Sequence, residues 1–189
     1  QIEAASLIAV SGSHSGQRLA MAHPDLLGYT KSSFVDSITS FGNVDVVFLC
    51  MVHGKSAEWM QNNAVPNGVR VIDLSSDFRA MGPGNPFQYG LPEKYRENIK
   101  SSMRIANPGC LATATELALL PLAEKGLTGR DVVVHAITGS TGAGQQPIDT
   151  THYSWRDNNM STYKAFEHQH EAEILQTLGN LALHFIPMR

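Results

Sequence analysis

Cysteine is scarce in this sequence: Cys50 and Cys110 are the two among 189 residues. Two thiols are too few for a disulfide framework, and neither sits at zinc-finger spacing from a histidine, so no metal site is expected. Charge is sparse too, at 16% of residues with a formal net charge of −3, and Lys and Arg are scattered without a basic run. That pattern argues against a nucleic-acid surface. No apolar stretch approaches the roughly 18 residues of a membrane span, so no membrane partner is expected. Gln1-Ile2-Glu3-Ala4 has neither the charged nor the apolar region of a signal peptide. The expected compartment is therefore a reducing cytoplasm, with both cysteines as thiols. An initiating Met is also lacking, as are repeats and low-complexity tracts, so the chain reads as a fragment.

What is present is enough apolar material, 42%, for one good core or for one domain plus part of a second. Ala5 to Val10 reads as a short strand running into the small polar loop Ser11–Gly16. Val44 to Cys50 reads as a buried parallel strand, with Cys50 in the core. His53-Gly54-Lys55-Ser56 leads into a helix, and Val69 to Leu74 is the next strand. Strand, helix, strand is the βαβ signature of an open parallel sheet. Gly82–Pro86 is loop. Ser102–Ala106 is a short strand entering Asn107-Pro108-Gly109, and Cys110–Lys125 is a helix with Leu111, Ala114, Leu117, Ala118 and Leu122 on its apolar face. Val132–Ile137 is a strand, Thr138–Gly144 a glycine-rich loop, Glu167–Leu178 a helix and Ala182–Ile186 a last strand. The fold class expected is α/β: a Rossmann-like parallel sheet over 1–109, then the start of an α+β catalytic domain over 110–189. Ligands in such sheets sit beyond the carboxyl ends of the strands. The loops Ser11–Gly16, His53–Ser56, Ser75–Arg79 and Asn107–Cys110 all follow strands and are expected to meet along one edge.

Cys110 opens a helix, where free N–H groups stabilise a thiolate. Pro108 and Gly109 leave a bare approach to it. A small capping residue in a core is the plain alternative, since buried cysteine is usually inert. The glycines of Thr138–Gly144 allow a backbone to come close to an anion, though a tight turn is the commoner outcome. A thiol enzyme also needs a proton carrier near neutral pH, and eight histidines are candidates. His168 and His170, two apart on the expected helix, do not share a face and are not a metal pair. His184 sits in an apolar strand, where a hydrogen-bonded core imidazole is the plain reading.

Several segments together resemble the N-acetyl-γ-glutamyl-phosphate reductases, an arginine-biosynthesis family related to aspartate-semialdehyde dehydrogenase. In order they are Val71–Arg79, Tyr89-Gly90-Leu91-Pro92-Glu93, Asn107-Pro108-Gly109-Cys110 with Ala112-Thr113, Gly139–Gly144, His168-Gln169-His170 with Glu173-Ile174, and His184-Phe185-Ile186-Pro187-Met188. The resemblance implies that the Cys110 thiolate attacks an acyl phosphate, expels phosphate and forms a thioester, which NADPH then reduces to the semialdehyde. It implies His184 as the acid/base group. Ser11 and Ser13 would lie by the adenosine ribose and its 2′-phosphate, with His53, Gly54, Ser56, Ser140, Gly142, Ala143 and Gly144 lining the rest of an NADP(H) site. Asn107, Arg79 and Tyr89 fall to the substrate side; Arg79 would grip a phosphate or carboxylate through a bidentate fork, or else form a structural ion pair. The partners implied are a small acyl phosphate and further copies of the chain, as a dimer or tetramer. Sibling reductases of lysine synthesis or of aspartyl phosphate, a cofactor-free hydrolase using Cys110 and His184, and a non-catalytic binding fragment remain alternatives.

The sequence departs from the family pattern in places. No glycine fingerprint precedes Ser11 and no further sheet follows Met188, so the first βα unit and the closing part of the catalytic domain are expected to be missing. On that expectation the chain alone does not hold NADPH well. Leu111 stands where Tyr is common in the family, and Val52 where Pro is common.

Overall fold

The computed structural model describes residues 6–144, 148–179 and 181–189. By packing, the chain divides into two compact units, Gln1–Val44 and Asp45–Arg189. The sequence boundary expected at 109/110 lies inside the second of these.

In the first unit a short helix α1, Leu19–Ala22, and a 3-10 turn, Pro24–Leu26, follow the Ser11–Gly16 loop. The strand expected over Ala5–Val10 is absent among its described residues, Ala5 lying outside them; Val10 makes one isolated bridge to Val35. Leu7 and Ile8 remain 70% and 54% exposed, so this apolar run has no neighbouring strand within the unit to bury against.

The second unit holds two parallel sheets. Strands β1 (Val46–Leu49), β2 (Arg70–Asp73), β3 (Gln88–Tyr89) and β4 (Arg104–Ala106) pair in the order β1-β2-β4-β3. All three pairings are parallel, for instance Val47 with Val71 and Asp73 with Ala106. Helix α2, Lys55–Asn62, crosses between β1 and β2, and helix α3, Pro92–Ser101, crosses between β3 and β4. The sequence reading had neither β3 nor α3. Pro92 at the first helical turn is a start signal, but α3 buries no side chain and so carries no apolar stripe to detect. Leu49, Val71, Phe87 and Ala106 form the core of this sheet.

Cys110–Ala123 forms α4, β5 (Asp131–Ile137) follows, and then a short helix α5, Tyr153–Arg156. Helix α6, His170–Leu178, is the crossover to β6, Ala182–Met188, which pairs in parallel with β5 over its whole length. Leu111 and Ala112 of α4, Ile174 of α6 and Phe185 of β6 make a second core. Two expectations are corrected here. The buried side of α4 is Leu111, Ala112, Thr115, Glu116 and Leu120, whereas Leu117 and Leu122 are 42% and 43% exposed. The helix is apolar nearly all round, so its buried face is chosen by a partner for Glu116, described below. Cys50 is no core residue: β1 ends at Leu49 and the thiol beyond it is exposed. No helix among the described residues is long and apolar enough to cross a membrane.

Candidate active site

In a sheet of parallel strands every carboxyl end falls on the same edge. Three of the loops expected there do meet. The Leu74 N–H donates to Leu49 O at 3.0 Å, and the Asn107 N–H to Asp73 O at 2.8 Å, so each loop leaves its strand beside the next. The Ser76 N–H donates to His53 Nδ1 at 3.0 Å. Asp77 accepts from Gly54 N–H at 2.6 Å and Ala57 N–H at 3.0 Å, which satisfies the start of α2 with a carboxylate. Although burial alone would raise it, these backbone hydrogen bonds hold the Asp77 carboxyl below its ordinary value. Of the expected cofactor residues in this loop, His53 and Gly54 are exposed while Ser56 is fully buried. Gly54, at φ 86°, faces open space where a side chain would stand.

Cys110 is exposed at the first position of α4. The residues before it, Pro108 and Gly109, are buried. The Gly109 N–H donates to Glu173 Oε2 at 2.8 Å. Its α-carbon lies against an imidazole: a Cβ there would come within 2.3 Å of His170 Nε2 and 2.8 Å of Arg79 Nη1. His168 completes the group, its ring centroid 4.5 Å from that of His170 and its Nδ1 accepting the His170 N–H at 3.2 Å. The sequence reading kept these histidines apart by putting both on one helix. The helix begins at His170, which leaves His168 free to fold back onto its neighbour. Burial drives both imidazoles down to about 4, helped at His168 by the His170 charge and at His170 by Arg79 and His53. Both are therefore neutral at physiological pH. Tyr163 packs edge-on to His168 at 5.5 Å, under the Arg189 guanidinium. Burial raises its phenol, and Arg189 opposes that rise.

His184 lies elsewhere. Side chains alternate along a strand, and its neighbour Phe185 is the one that packs on α4 and α6. The His184 side chain is 45% exposed on the opposite face of the β5–β6 pair, with Nε2 3.5 Å from Asp131 Oδ1.

Arg79 and Tyr89, expected on the substrate side, are committed to the protein itself. Arg79 is 6% exposed and donates from Nε to Asn107 O at 2.9 Å, from Nη2 to Leu74 O at 3.0 Å and from Nη1 to Glu173 Oε1 at 3.1 Å. The structural ion pair is thus the alternative that the structure supports. Tyr89 is fully buried, its hydroxyl 3.1 Å from both oxygens of Glu116 and 3.1 Å from Glu173 Oε2. Of the three, Asn107 alone is exposed. The sequence reading missed Glu116 and Glu173 as members of this network. Glu173 could have been found from its place three residues after His170, on the same helix face; Glu116 carried no such mark.

One phenolic proton cannot serve two carboxylates. Burial pushes the Glu116 carboxyl up to about 7, the nearby Glu173 charge adding to the rise and the Tyr89 hydrogen bond and Lys94 charge opposing it. Protonated Glu116 then donates to the Tyr89 oxygen while the Tyr89 O–H donates to Glu173. Because the folded value lies above the ordinary 4.5, Glu116 contributes stability that is full below about pH 4.5 and is lost as pH rises through about 7. The two histidines act oppositely, removing stability as pH falls from about 6.5 towards 4. Glu116→Gln is therefore expected to melt higher than wild type at pH 8 and to lose that advantage at pH 4.5. Melting curves of both proteins at the two pH values check this; an equal gap at both pH values refutes it.

The remaining expected cofactor residues fall in two places. Ser140, Gly142 and Ala143 lie in a 3-10 turn, Ser140–Ala143, just past the carboxyl end of β5, and Gly144 ends it at φ 93°. Within that turn the Gly142 N–H donates to Gly139 O and the Gly144 N–H to Thr141 O. Ser11 and Ser13 belong to the first unit, where both hydroxyls lie within 3.2 Å of His14 Nδ1. Among the described residues no cluster of three or more His, Cys, Asp or Glu could hold a metal ion.

Comparison with known proteins gives this arrangement a context. Residues 1–102 match the family model described as the NAD binding domain of semialdehyde dehydrogenase, and residues 110–189 match its dimerisation domain. The chain is 48% identical to a protein of Flavobacterium johnsoniae and 44% identical to one of Parabacteroides distasonis, both named N-acetyl-gamma-glutamyl-phosphate reductase. Each match covers 95% of this chain and 58% or 57% of the relative, so the chain spans little more than half the length of these proteins. The crystal structure of aspartate semialdehyde dehydrogenase II from Vibrio cholerae has a similar fold, with a TM-score of 0.70 at 16% identity over 98% of this chain and 62% of that one. A Francisella tularensis aspartate semialdehyde dehydrogenase superposes with a TM-score of 0.59 at 14% identity, over 96% of this chain and 64% of that one.

Proposed function

The chain belongs to the semialdehyde dehydrogenase family, and we propose from that membership that it carries the nucleophile of an NADP(H)-dependent reductase of N-acetyl-γ-glutamyl phosphate, acting in arginine biosynthesis. The observation that supports this best is an exposed thiol at the head of α4, one residue past a buried glycine that packs against the His170 imidazole. Cys110 Sγ attacks the acyl carbon, the C–O bond to phosphate breaks, and a thioester remains. A nicotinamide cofactor, when bound, supplies the hydride that reduces the thioester carbon. Collapse of the resulting thiohemiacetal breaks the C–S bond, releases the aldehyde and returns the thiolate. Gly54 and Gly144, which face open space past the carboxyl ends of β1 and β5, and the small side chains of the turn Ser140–Ala143 fit the close approach of a dinucleotide. Ser11 and Ser13 are proposed to take the 2′-phosphate end. Asn107, exposed beside the thiol, faces substrate.

We assign proton transfer to the His168–His170 pair, because His170 packs directly on Gly109. His184, which the family likeness suggested, faces the other side of its strand pair. The likeness of residues 110–189 to a dimerisation domain supports a homo-oligomer, which we propose to be a dimer or a tetramer acting in the cytoplasm.

The test is the reverse reaction of the full-length protein, with N-acetyl-glutamate semialdehyde, phosphate and NADP, followed by absorbance of the reduced cofactor. Phosphate-dependent reduction is expected, with aspartate semialdehyde a poor substitute. Absence of a phosphate-dependent signal refutes the reading. His184→Asn is expected to keep more turnover than His170→Asn, and the opposite order would return the acid/base role to His184.

A further inference from the structure

A buried carboxylate next to a nucleophilic turn needs an explanation. A negative charge opposes thiolate formation, and a buried ion pair is weak evidence of stability because apolar residues of similar size often do as well. Glu173 is 5% exposed and sits on α6, in a chain segment remote from Cys110 in sequence. Its Oε2 takes the Gly109 N–H at 2.8 Å, and its Oε1 takes Arg79 Nη1 at 3.1 Å. The Gly109 N–H belongs to the group of donors that the start of a helix leaves without helical partners. It is buried, so it must find an acceptor within the protein, and an ionised acceptor makes that bond shorter and stronger than a neutral one. The carboxylate is itself fixed, with Arg79 on one oxygen and the Tyr89 hydroxyl on the other. Arg79 offsets its charge and also binds Asn107 O, the carbonyl at the start of the same turn. The Asn107–Cys110 turn is thus held at one peptide by Arg79 and two residues later by Glu173.

We propose that Glu173 is a positioning residue for Cys110: by holding the Gly109 amide, with Arg79 and Tyr89 fixing its own orientation, it sets where the sulfur stands at the head of α4. The inference rests on the reading of Cys110 as the nucleophile. Glu173 Oε1 also lies 3.9 Å from Nε2 of His170, the proposed proton carrier, so the pH–rate profile is read beside kcat: a profile unchanged in shape assigns the loss to the turn, and a shifted one assigns it to His170 and overturns the proposal. The effect of Glu173 is on geometry, where a displacement of about 1 Å can cost about 100-fold in rate.

The experiment compares the full-length wild-type protein with Glu173→Ala and Glu173→Gln by steady-state kinetics and by hydrogen–deuterium exchange across the Asn107–Leu111 segment. Glu173→Ala is expected to lower kcat about 100-fold with KM for the acyl phosphate within about threefold, since the lost contact serves geometry rather than binding. Glu173→Gln keeps an oxygen that accepts from Gly109 and is expected to recover about tenfold of that loss. The Gly109 amide is expected to exchange faster in the alanine variant, with α4 and α6 still protected, and to regain protection in the glutamine variant. A kcat for Glu173→Ala within about threefold of wild type overturns the proposal. So does a rise in KM alone, or a glutamine variant as slow as the alanine one, or exchange that accelerates throughout α4 and α6. If Glu173→Ala does not fold, Glu173→Leu, which fills the same space without an acceptor and leaves the Arg79 bond to Asn107 O in place, carries the same comparison. If wild type shows no reductase activity, the proposed function fails, while the exchange pattern still decides the role of Glu173.

Discussion

Replacing Cys110 with alanine is expected to abolish phosphate-dependent turnover, by a factor on the order of 10⁴ to 10⁶, the scale on which losing a covalent nucleophile is felt. The fold is expected to survive, because the side chain is exposed and packs no core. Cys50→Ala serves as the contrast. That thiol stands just past the end of β1, and partial desolvation by its surroundings, with the Asp73 carboxylate acting the same way, raises it above its ordinary value. It is therefore protonated at neutral pH and a poor nucleophile, so its loss leaves turnover within about threefold. Alkylation followed by peptide mapping separates the two thiols in the same sample. Turnover that survives in Cys110→Ala, or that is lost in a folded Cys50→Ala, moves the nucleophile away from the head of α4.

The Asn107–Cys110 turn was legible because its signals are local. Pro108-Gly109 ahead of an apolar helix names a tight, bare approach, and the strand–helix–strand order puts it at a sheet edge. The meeting of the His53–Ser56, Ser75–Arg79 and Asn107–Cys110 loops followed from parallel strands alone. What was not legible depends on contacts between residues remote in sequence. Glu116 looks like a solvent-facing residue of α4 until Tyr89, from another strand, supplies its partner. Ala5–Val10 spells a strand, but pairing needs a neighbour, and spelling does not supply one. The roles of Arg79 and Tyr89 illustrate the same limit. Their residue types suit a substrate anion, yet each donor finds a protein acceptor first. His168 and His170 were separated by a helical argument applied one turn too early, and a boundary shift of that size is ordinary.

Gly109→Ala is the other substitution expected to cost most, for a reason that backbone angles do not reveal. Gly109 has φ −67° and ψ 149°, which any residue adopts. Its requirement is steric. The added Cβ would stand 2.3 Å from His170 Nε2, 2.6 Å from His170 Cδ2 and 2.8 Å from Arg79 Nη1. Arg79 cannot yield without breaking its bonds to Asn107 O, Leu74 O and Glu173. The His170 ring is buried and packed against the His168 ring. The turn must therefore move, taking the sulfur with it. Overpacking of this kind costs about 1–3 kcal/mol of stability, and the displaced thiol costs about 100-fold or more in kcat. Removing the obstacle separates the two effects. In Gly109→Ala/His170→Ala the imidazole is gone, and thermal melting is expected to return most of the way to the His170→Ala value. Turnover is not expected to return with it, because the ring that gave way is also the proposed proton acceptor for Cys110. Recovery of both in the double variant would leave His170 as a packing residue only, and proton transfer would pass to another histidine.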